Sequence, residues 1–270
     1  MKKIVLLFLS ALLTVGVFAQ DPGAAEKNAG NVALKAKNYA EAFKKYEEYL
    51  KIVNNKDNAT VFNTAYCANK IKNYPAAEKY FSMSIDNKYK TATSYLGKAQ
   101  ALKAQKKDAE MLATLQEGMK ASPGNMKLET MYATYFLKEG QKFQKSGNEA
   151  KAAENYSKIT NLSTKSFKVQ GYVSLATLYF NNGAKILQDA TPIANTDKAK
   201  YDAERAKAMN DFKKAKEYYE KGAQENDIDC ICSLGNAYFK GVGTPKDYLR
   251  AKYYYEESIK LGSLDAYNCL

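Results

Sequence analysis

The stretch Asn28–Val53, NAGNVALKAKNYAEAFKKYEEYLKIV, decides the fold of this 270-residue chain. Small residues and large apolar residues recur at helical spacing on two short segments that meet near Lys37. Small residues allow two antiparallel helices to approach closely, and tyrosine and leucine side chains fill the gaps between them. The stretch therefore predicts a helical hairpin. One hairpin cannot bury its apolar face alone, so further copies are expected.

Copies of the hairpin follow at a regular period. The segment Asn38–Ala42 recurs as Asn73–Ala77, a shift of 35 residues, and Tyr46 matches Phe81. Near-identity at a fixed period is the signature of a helical repeat array. The third copy has a first helix that fits two registers, one using Gly97 and the other Ala99.

The fifth copy is longer than the others by 27 residues. The extra sequence, at about 184–208, is rich in helix formers and has a turn-like segment at Ala190–Thr196. It predicts that both helices of this copy are lengthened by about 13 residues each, giving a spur of ~20 Å. The alternative is a flexible loop with one helical end.

The spacing of small and aromatic residues resembles the tetratricopeptide repeat (TPR). The last copy differs: Leu234, Gly235 and Tyr238, the glycine-rich turn Gly241–Gly243 and a following Ala251 resemble the Sel-one-like repeat, a TPR relative with a longer turn between its helices. The resemblance covers about residues 24 to 270. It implies an all-α fold, a single right-handed α-solenoid of stacked antiparallel helix pairs.

The resemblance also implies the boundaries of the repeats. TPR units are expected at 24–57, 58–90, 91–125, 126–165 and 166–227, the last with a helical insertion at about 184–208. A Sel-one-like unit is expected at 228–262, followed by the start of a capping helix at 263–270.

The N-terminus has the features of a secretory signal peptide. A basic start is followed by the apolar run Ile4–Val17 and a small-x-small exit, which predicts residues 1–19 as the signal peptide, with cleavage after Ala19. The run is too short and interrupted to span a membrane comfortably. The chain is therefore expected to be exported, to the periplasm of a Gram-negative envelope, with secretion or association with the envelope as alternatives and with at most peripheral membrane contact.

Composition narrows the possible functions. The chain has no histidine, which removes the commonest general base and the commonest metal ligand. No catalytic, metal-binding or phosphate-binding motif is present, so neither enzyme activity nor a cofactor is expected. Removing residues 1–19 lowers the net charge from +12 to +10, and Arg205 and Arg250 are the only arginines. Nucleic-acid binding is not expected, because specific recognition usually uses arginine.

Four cysteines could pair in an oxidising compartment. Cys67 lies on an apolar helix face and is interpreted as a buried small residue. Cys230 and Cys232 are two residues apart and point in different directions on a helix. A disulfide of either Cys230 or Cys232 with Cys269 is therefore a possibility.

The resemblance to TPR proteins implies a peptide-binding groove on the concave face formed by the first helix of each unit. In the first two units that face is expected to show polar and basic residues with one aromatic, namely Lys27, Asn31, Asn63, Tyr66, Asn69 and Lys70. Amides can hydrogen-bond a peptide backbone and lysines a carboxylate. Lys27, Asn31 and Asn63 also look like part of the carboxylate clamp of co-chaperone TPR modules. The clamp is incomplete, because Thr93 and Gly97 stand where two basic residues would complete it.

The sequence thus predicts a non-enzymatic, exported scaffold that binds other proteins or peptides through its concave face. A basic adaptor for an anionic envelope polymer or membrane surface is an alternative, since the charge is strongly positive. A structural subunit of a secretion or envelope complex is another. The identity of the partner is not encoded in any motif.

Overall fold

The computed structural model describes residues 22–269, so the predicted signal peptide lies outside the described part. Within it the chain forms twelve α-helices and two short 3-10 helices, and no β-strand. The α-helices are α1 Ala24–Lys35, α2 Tyr39–Ile52, α3 Asn58–Lys70, α4 Tyr74–Asp86, α5 Thr91–Ala104, α6 Asp108–Ala121, α7 Met126–Lys145, α8 Glu149–Ser157, α9 Lys165–Ala190, α10 Lys198–Gln224, α11 Ile228–Lys240 and α12 Tyr248–Lys260. Consecutive helices pack in pairs, which confirms the predicted all-α fold of stacked helix pairs.

Side-chain caps set the starts of most helices. Eight α-helices follow an Asn or Asp whose side-chain oxygen accepts a hydrogen bond from the backbone N–H three residues later: Asn38, Asp57, Asn73, Asn125, Asn148, Asp197, Asp227 and Asp247. Such a bond satisfies one of the four N–H groups left without a partner at a helix start. The repeated Asn of the hairpin motif therefore fixes where its second helix begins.

The described residues form two compact units that meet in the chain between Lys107 and Asp108. The repeat spacing continues across this point, so the sequence pattern does not reveal the division. In the first unit, α1 pairs with α2 and α3 with α4, and α5 packs against α4. Its core is built from large side chains of α2, α3 and α4, namely Tyr49, Leu50, Val61, Phe62, Tyr80 and Phe81.

A glycine in one helix and a tyrosine in its partner recur in three of the helix pairs. The pairs are Gly30 with Tyr46, Gly140 with Tyr156 and Gly235 with Tyr255. A Cβ added at each glycine would lie between 2.4 and 2.6 Å from the nearest ring atom of its tyrosine. In each pair the tyrosine hydroxyl donates a hydrogen bond to a side-chain amide oxygen of the glycine's helix: Asn31, Gln144 or Asn236. The glycine thus admits the ring, and the amide satisfies its hydroxyl.

In the second unit, α9 and α10 are 26 and 27 residues long, about twice the length of an ordinary helix of this chain. The extra residues of the fifth repeat lie in these two helices, which are joined through a 3-10 turn at Thr191–Ile193. The two helices pack against each other along their length, from the stacked rings of Tyr179 and Tyr218 to the buried Ala190. A Cβ at Gly183 would lie 2.9 Å from the backbone oxygen of Ala208, so this glycine permits the close approach.

The start of α9 has an unusual cap. The side chain of Thr164 makes no capping hydrogen bond. Instead the buried carboxylate of Glu129, from α7, accepts hydrogen bonds from the backbone N–H groups of Ser163 and Thr164 at 3.1 and 2.8 Å. Burial alone would raise the pKa of Glu129, but these hydrogen bonds lower it below its usual value, so the carboxylate remains ionised.

The C-terminal helix pair, α11 and α12, is joined by a turn with two left-handed glycines, Gly241 and Gly243. In the segment expected to start a capping helix at 263–270, the chain forms a short 3-10 helix at Asp265–Cys269. No helix of the described residues combines the length and the apolar character that a membrane span requires.

Candidate functional site

A groove of about 410 Å³ lies between α3 and α5, within the first unit. Its lining residues are Phe62, Tyr66, Asn69, Lys70, Tyr74, Phe81, Thr93, Leu96, Gly97, Gln100 and Ala104. Aromatic and aliphatic side chains make up most of the surface, and the polar groups are two amides, one hydroxyl group of threonine, two phenols and one ammonium. A concave apolar surface with a few polar groups is typical of a binding site.

Gly97 shapes the wall of this groove. A Cβ at this position would lie 2.3 Å from the Cζ atom of Phe81, so only a glycine lets the ring of Phe81 lie against α5. Asn69 on α3 donates a long hydrogen bond of 3.5 Å to the backbone oxygen of Gly97. The two registers that fit the sequence place either Gly97 or Ala99 at the helix contact, and both residues are buried. The packing against Phe81 requires a residue without a side chain at position 97, which favours the register that uses Gly97.

Lys70 carries the positive charge of the groove. Its Nζ lies 5.3 Å from the ring centroid of Tyr66 and 5.9 Å from that of Tyr39. The two rings meet edge to face with centroids 5.9 Å apart, and a hydrogen bond to Tyr66 raises the pKa of Tyr39. Among the described residues no carboxylate forms a salt bridge with Lys70, which is exposed. The ammonium is therefore held near the groove by two aromatic rings and is available to an anionic group.

Lys27, expected beside these residues, is engaged elsewhere. Its Nζ forms a 2.6 Å ion pair with Asp57, the N-cap of α3, and lies 5.4 Å from the ring centroid of Tyr49. The hydrogen bond with Asp57 raises the pKa of Lys27. The structure thus pairs the charge of Lys27 with Asp57 and places this lysine outside the lining of the groove between α3 and α5.

Asn31 and Asn63 also serve the packing of the first unit. The hydroxyl of Tyr46 donates a hydrogen bond of 2.9 Å to the side-chain oxygen of Asn31, so this oxygen already has a partner within the protein. Burial raises the pKa of Tyr46 to about 12, and a hydrogen bond from Asn63 opposes this effect. Neither asparagine lines the groove.

The structure therefore brings together Tyr66, Asn69 and Lys70 of the six predicted residues. The sequence reasoning missed Leu96 and Gln100, which lie on α5 and complete the groove. Both share one helix face with Thr93 and Gly97, at the i, i+3, i+4 and i+7 spacing that could have revealed them. The unresolved register of the third repeat hid that signal.

Comparison with known proteins identifies the architecture. The crystal structure of a TPR repeats protein from Bacteroides fragilis NCTC 9343 is similar to this chain, with 46% identity and a TM-score of 0.74. The similarity covers 78% of this chain and 95% of that protein. The chain belongs to the TPR-repeat family.

The C-terminal end of this TPR-repeat chain carries Sel1 repeats. The sequence indicated this type for residues 228–262, whereas it assigned residues 204–227 to the lengthened TPR unit. The Sel1 repeat family matches residues 204–227 and 228–263. An uncharacterised Sel1-like repeat-containing protein of Schizosaccharomyces pombe is 48% identical over 48 residues. That match covers 16% of this chain and spans only 7% of the yeast protein's length.

The cysteines of the TPR-repeat chain do not form a regular ladder. Cys67 and Cys230 are buried thiols without a disulfide partner among the described residues. Burial raises the pKa of both. The side chain of Cys269 lies outside the described part, so a disulfide of Cys230 or Cys232 with Cys269 stays a prediction.

Proposed function

We propose that this TPR-repeat chain is a non-enzymatic scaffold that binds an extended acidic peptide segment of a partner protein in the groove between α3 and α5. One observation carries the proposal: the ammonium of Lys70 lies at an apolar groove without a carboxylate partner among the described residues. The contacts with two aromatic rings place the ammonium beside the apolar surface of the groove, where a ligand carboxylate can pair with it.

The groove offers separate contacts to each part of such a peptide. Lys70 binds the carboxylate. The amides of Asn69 and Gln100 can donate and accept hydrogen bonds along an extended backbone. The exposed ring of Tyr66 and the side chain of Leu96 provide apolar surface for one side chain of the peptide. The occupant is therefore a segment that combines an acidic residue with a neighbouring apolar one.

We also propose that the chain acts outside the cytoplasm, in the periplasm. The support is the signal-peptide pattern of residues 1–19. Intact-mass measurement of the native protein from the periplasmic fraction tests this. A mature chain that begins at Gln20 is expected, and an unprocessed chain found only in the cytosol would overturn the proposal.

Crosslinking from Gln100, which lines the groove on α5, tests whether the groove binds a partner. A photoreactive amino acid replaces Gln100, and crosslinked partners are recovered from the native envelope fraction at low and high salt and identified by mass spectrometry. The expected result is one or two proteins, crosslinked through an acidic segment, that persist at high salt. The charge reversal Lys70→Glu is expected to reduce the crosslink about tenfold.

Lys103→Glu is the matched control. Lys103 is exposed on α5 and does not line the groove, so the same change of charge is expected to leave the crosslink intact. Equal loss for both variants would contradict the groove proposal. It would favour the alternative, a basic adaptor for an anionic envelope polymer, which the net charge of +10 supports and whose binding would fall steeply with salt.

A further inference from the structure

A second cavity, of about 180 Å³, lies in the C-terminal unit where α10 meets α11 and the glycine turn. Its lining residues are Phe180, Phe212, Ala215, Lys216, Tyr219, Ser233, Asn236, Ala237, Lys240 and Val242. It shares no residue with the groove of the first unit. The cavity lies at the boundary between the long helices and the Sel1 repeat of residues 228–263.

The inner surface of this cavity is largely apolar. The rings of Phe180 and Phe212 meet with centroids 5.4 Å apart. Val242 closes one side and is held there by the turn, because Gly243 has a φ of 69° and packs directly on the backbone of α10. A Cβ at Gly243 would lie 2.4 Å from the backbone oxygen of Phe212. The glycine turn, which the sequence marked as a feature of Sel1-type repeats, thus forms a wall of the cavity.

The charged residues that line the cavity are both lysines. None of its lining residues is acidic, and two are lysines. Lys216 forms a 2.7 Å ion pair with Glu220, so its charge is balanced. Lys240 is exposed and forms no salt bridge with another described residue. Asn236 accepts a hydrogen bond from Tyr255 through its oxygen, and its amide nitrogen has no hydrogen-bond partner in the described part.

We propose that this cavity binds one aromatic side chain of an acidic peptide segment, with a neighbouring carboxylate of that segment on Lys240. The volume of the cavity indicates a side chain of about the size of one aromatic ring, since a cavity of about 150 Å³ lined by apolar side chains accommodates benzene. The ammonium of Lys240, which forms no salt bridge with another described residue, favours an acidic residue next to the aromatic one in the peptide. The site is independent of the groove in the first unit, so it stands or falls separately from the function proposed above.

The test is fluorescence anisotropy of the full mature chain with a fluorescein-labelled peptide, Gly-Ser-Asp-Phe-Asp-Ser-Gly. Two matched peptides replace Phe by Ala, or both Asp residues by Asn. Each is expected to bind at least tenfold more weakly than the parent peptide. Equal binding of the Ala peptide, or no detectable binding of the parent peptide at millimolar protein, would overturn the proposal.

Variants of the protein locate the binding. Ala237→Phe fills the cavity from a half-buried position on α11 and is expected to weaken binding at least tenfold. Lys240→Glu is expected to weaken it about tenfold, whereas Lys252→Glu, an exposed lysine outside the cavity, is expected to change it less than twofold. If Ala237→Phe does not fold, the Lys240→Glu and Lys252→Glu pair still decides, and equal effects of the two would refute the site. The parent peptide also has the features proposed for the groove of the first unit, so these comparisons are repeated in the Lys70→Glu background. Binding that persists there, and that Lys240→Glu weakens about tenfold, belongs to the cavity.

Discussion

Replacement of Asp57 by Ala is expected to destabilise the first unit far more than loss of an ordinary helix cap. Asp57 accepts hydrogen bonds from the backbone N–H and the hydroxyl of Thr60, both at 3.0 Å, and from the hydroxyl of Tyr49 at 3.1 Å. It also pairs with Lys27. One carboxylate thus ties α1 and α2 to the start of α3. Asn73 caps α4 in the same unit but accepts only the bond from Ala76.

The magnitude follows from these contacts. Loss of the cap costs about 1 kcal/mol. The hydroxyls of Tyr49 and Thr60 each lose an acceptor in a buried setting, for about 1 kcal/mol apiece. The ion pair adds only about 0.5 kcal/mol, because the side chain of Lys27 is 40% exposed and solvent screens it. Asp57→Ala is therefore expected to cost about 3 kcal/mol, and Asn73→Ala about 1 kcal/mol.

Hydrogen exchange of residues 58–70, followed by mass spectrometry under native conditions, measures the difference locally. Exchange should be about 100-fold faster in Asp57→Ala, and about fivefold faster in Asn73→Ala, than in the unmodified chain. Comparison within one segment avoids the assumption that the whole chain unfolds in one step. Similar acceleration in both variants would refute the reasoning, because Asp57 would then act as a cap and nothing more.

Three further outcomes are expected. Burial alone would raise the pKa of Asp57, but its hydrogen bonds lower it to about 2. The carboxyl group therefore takes up a proton at a higher pH in the unfolded chain than in the folded chain, and about 1–2 kcal/mol of stability should be lost as pH falls from about 4 to about 2. Asp57→Asn should remove this pH dependence, as measured by urea titrations. Gly140→Ala should cost about 1–3 kcal/mol in urea unfolding, because its Cβ meets the ring of Tyr156, and a gain of about 1 kcal/mol, as helix propensity alone predicts, would contradict this. Burial raises the pKa of Cys67 to about 11, so its alkylation by iodoacetamide at pH 8 should be about 100-fold slower than in urea.

The fold was predictable from sequence because its determinants are local and repeated. An Asn cap, a small residue and an aromatic residue recur at one period, and each acts within its own helix pair. The lengthening of α9 and α10 is visible in the sequence, because 27 extra residues rich in helix formers separate the repeat positions of the fifth copy. The division after Lys107 leaves no such mark, because the repeat spacing continues across it.

The candidate site was only partly predictable, because polar side chains on one helix face can serve either a ligand or the fold. Lys27 and Asn31 have the spacing of ligand-binding residues, yet their partners are Asp57 and Tyr46, which lie 30 and 15 positions further along the chain. No spacing rule connects residues so far apart. The sequence around Lys70 does not reveal whether its charge is paired, and only the three-dimensional structure shows that no acidic residue of the described part pairs with it.

The long pair α9 and α10 suggests a place to modify this chain without disturbing its repeats. The turn between them, from Thr191 to Asp197, is mostly exposed, and no buried residue lies in it. Exposed turns of this kind tolerate inserted sequence well. A fluorophore, an affinity tag or a whole reporter domain inserted near Asn195 would lie at the tip of the hairpin. This tip is on the order of 20 Å beyond the point at which repeat helices of ordinary length would end. The same geometry would let evolution lengthen or shorten the hairpin one turn at a time.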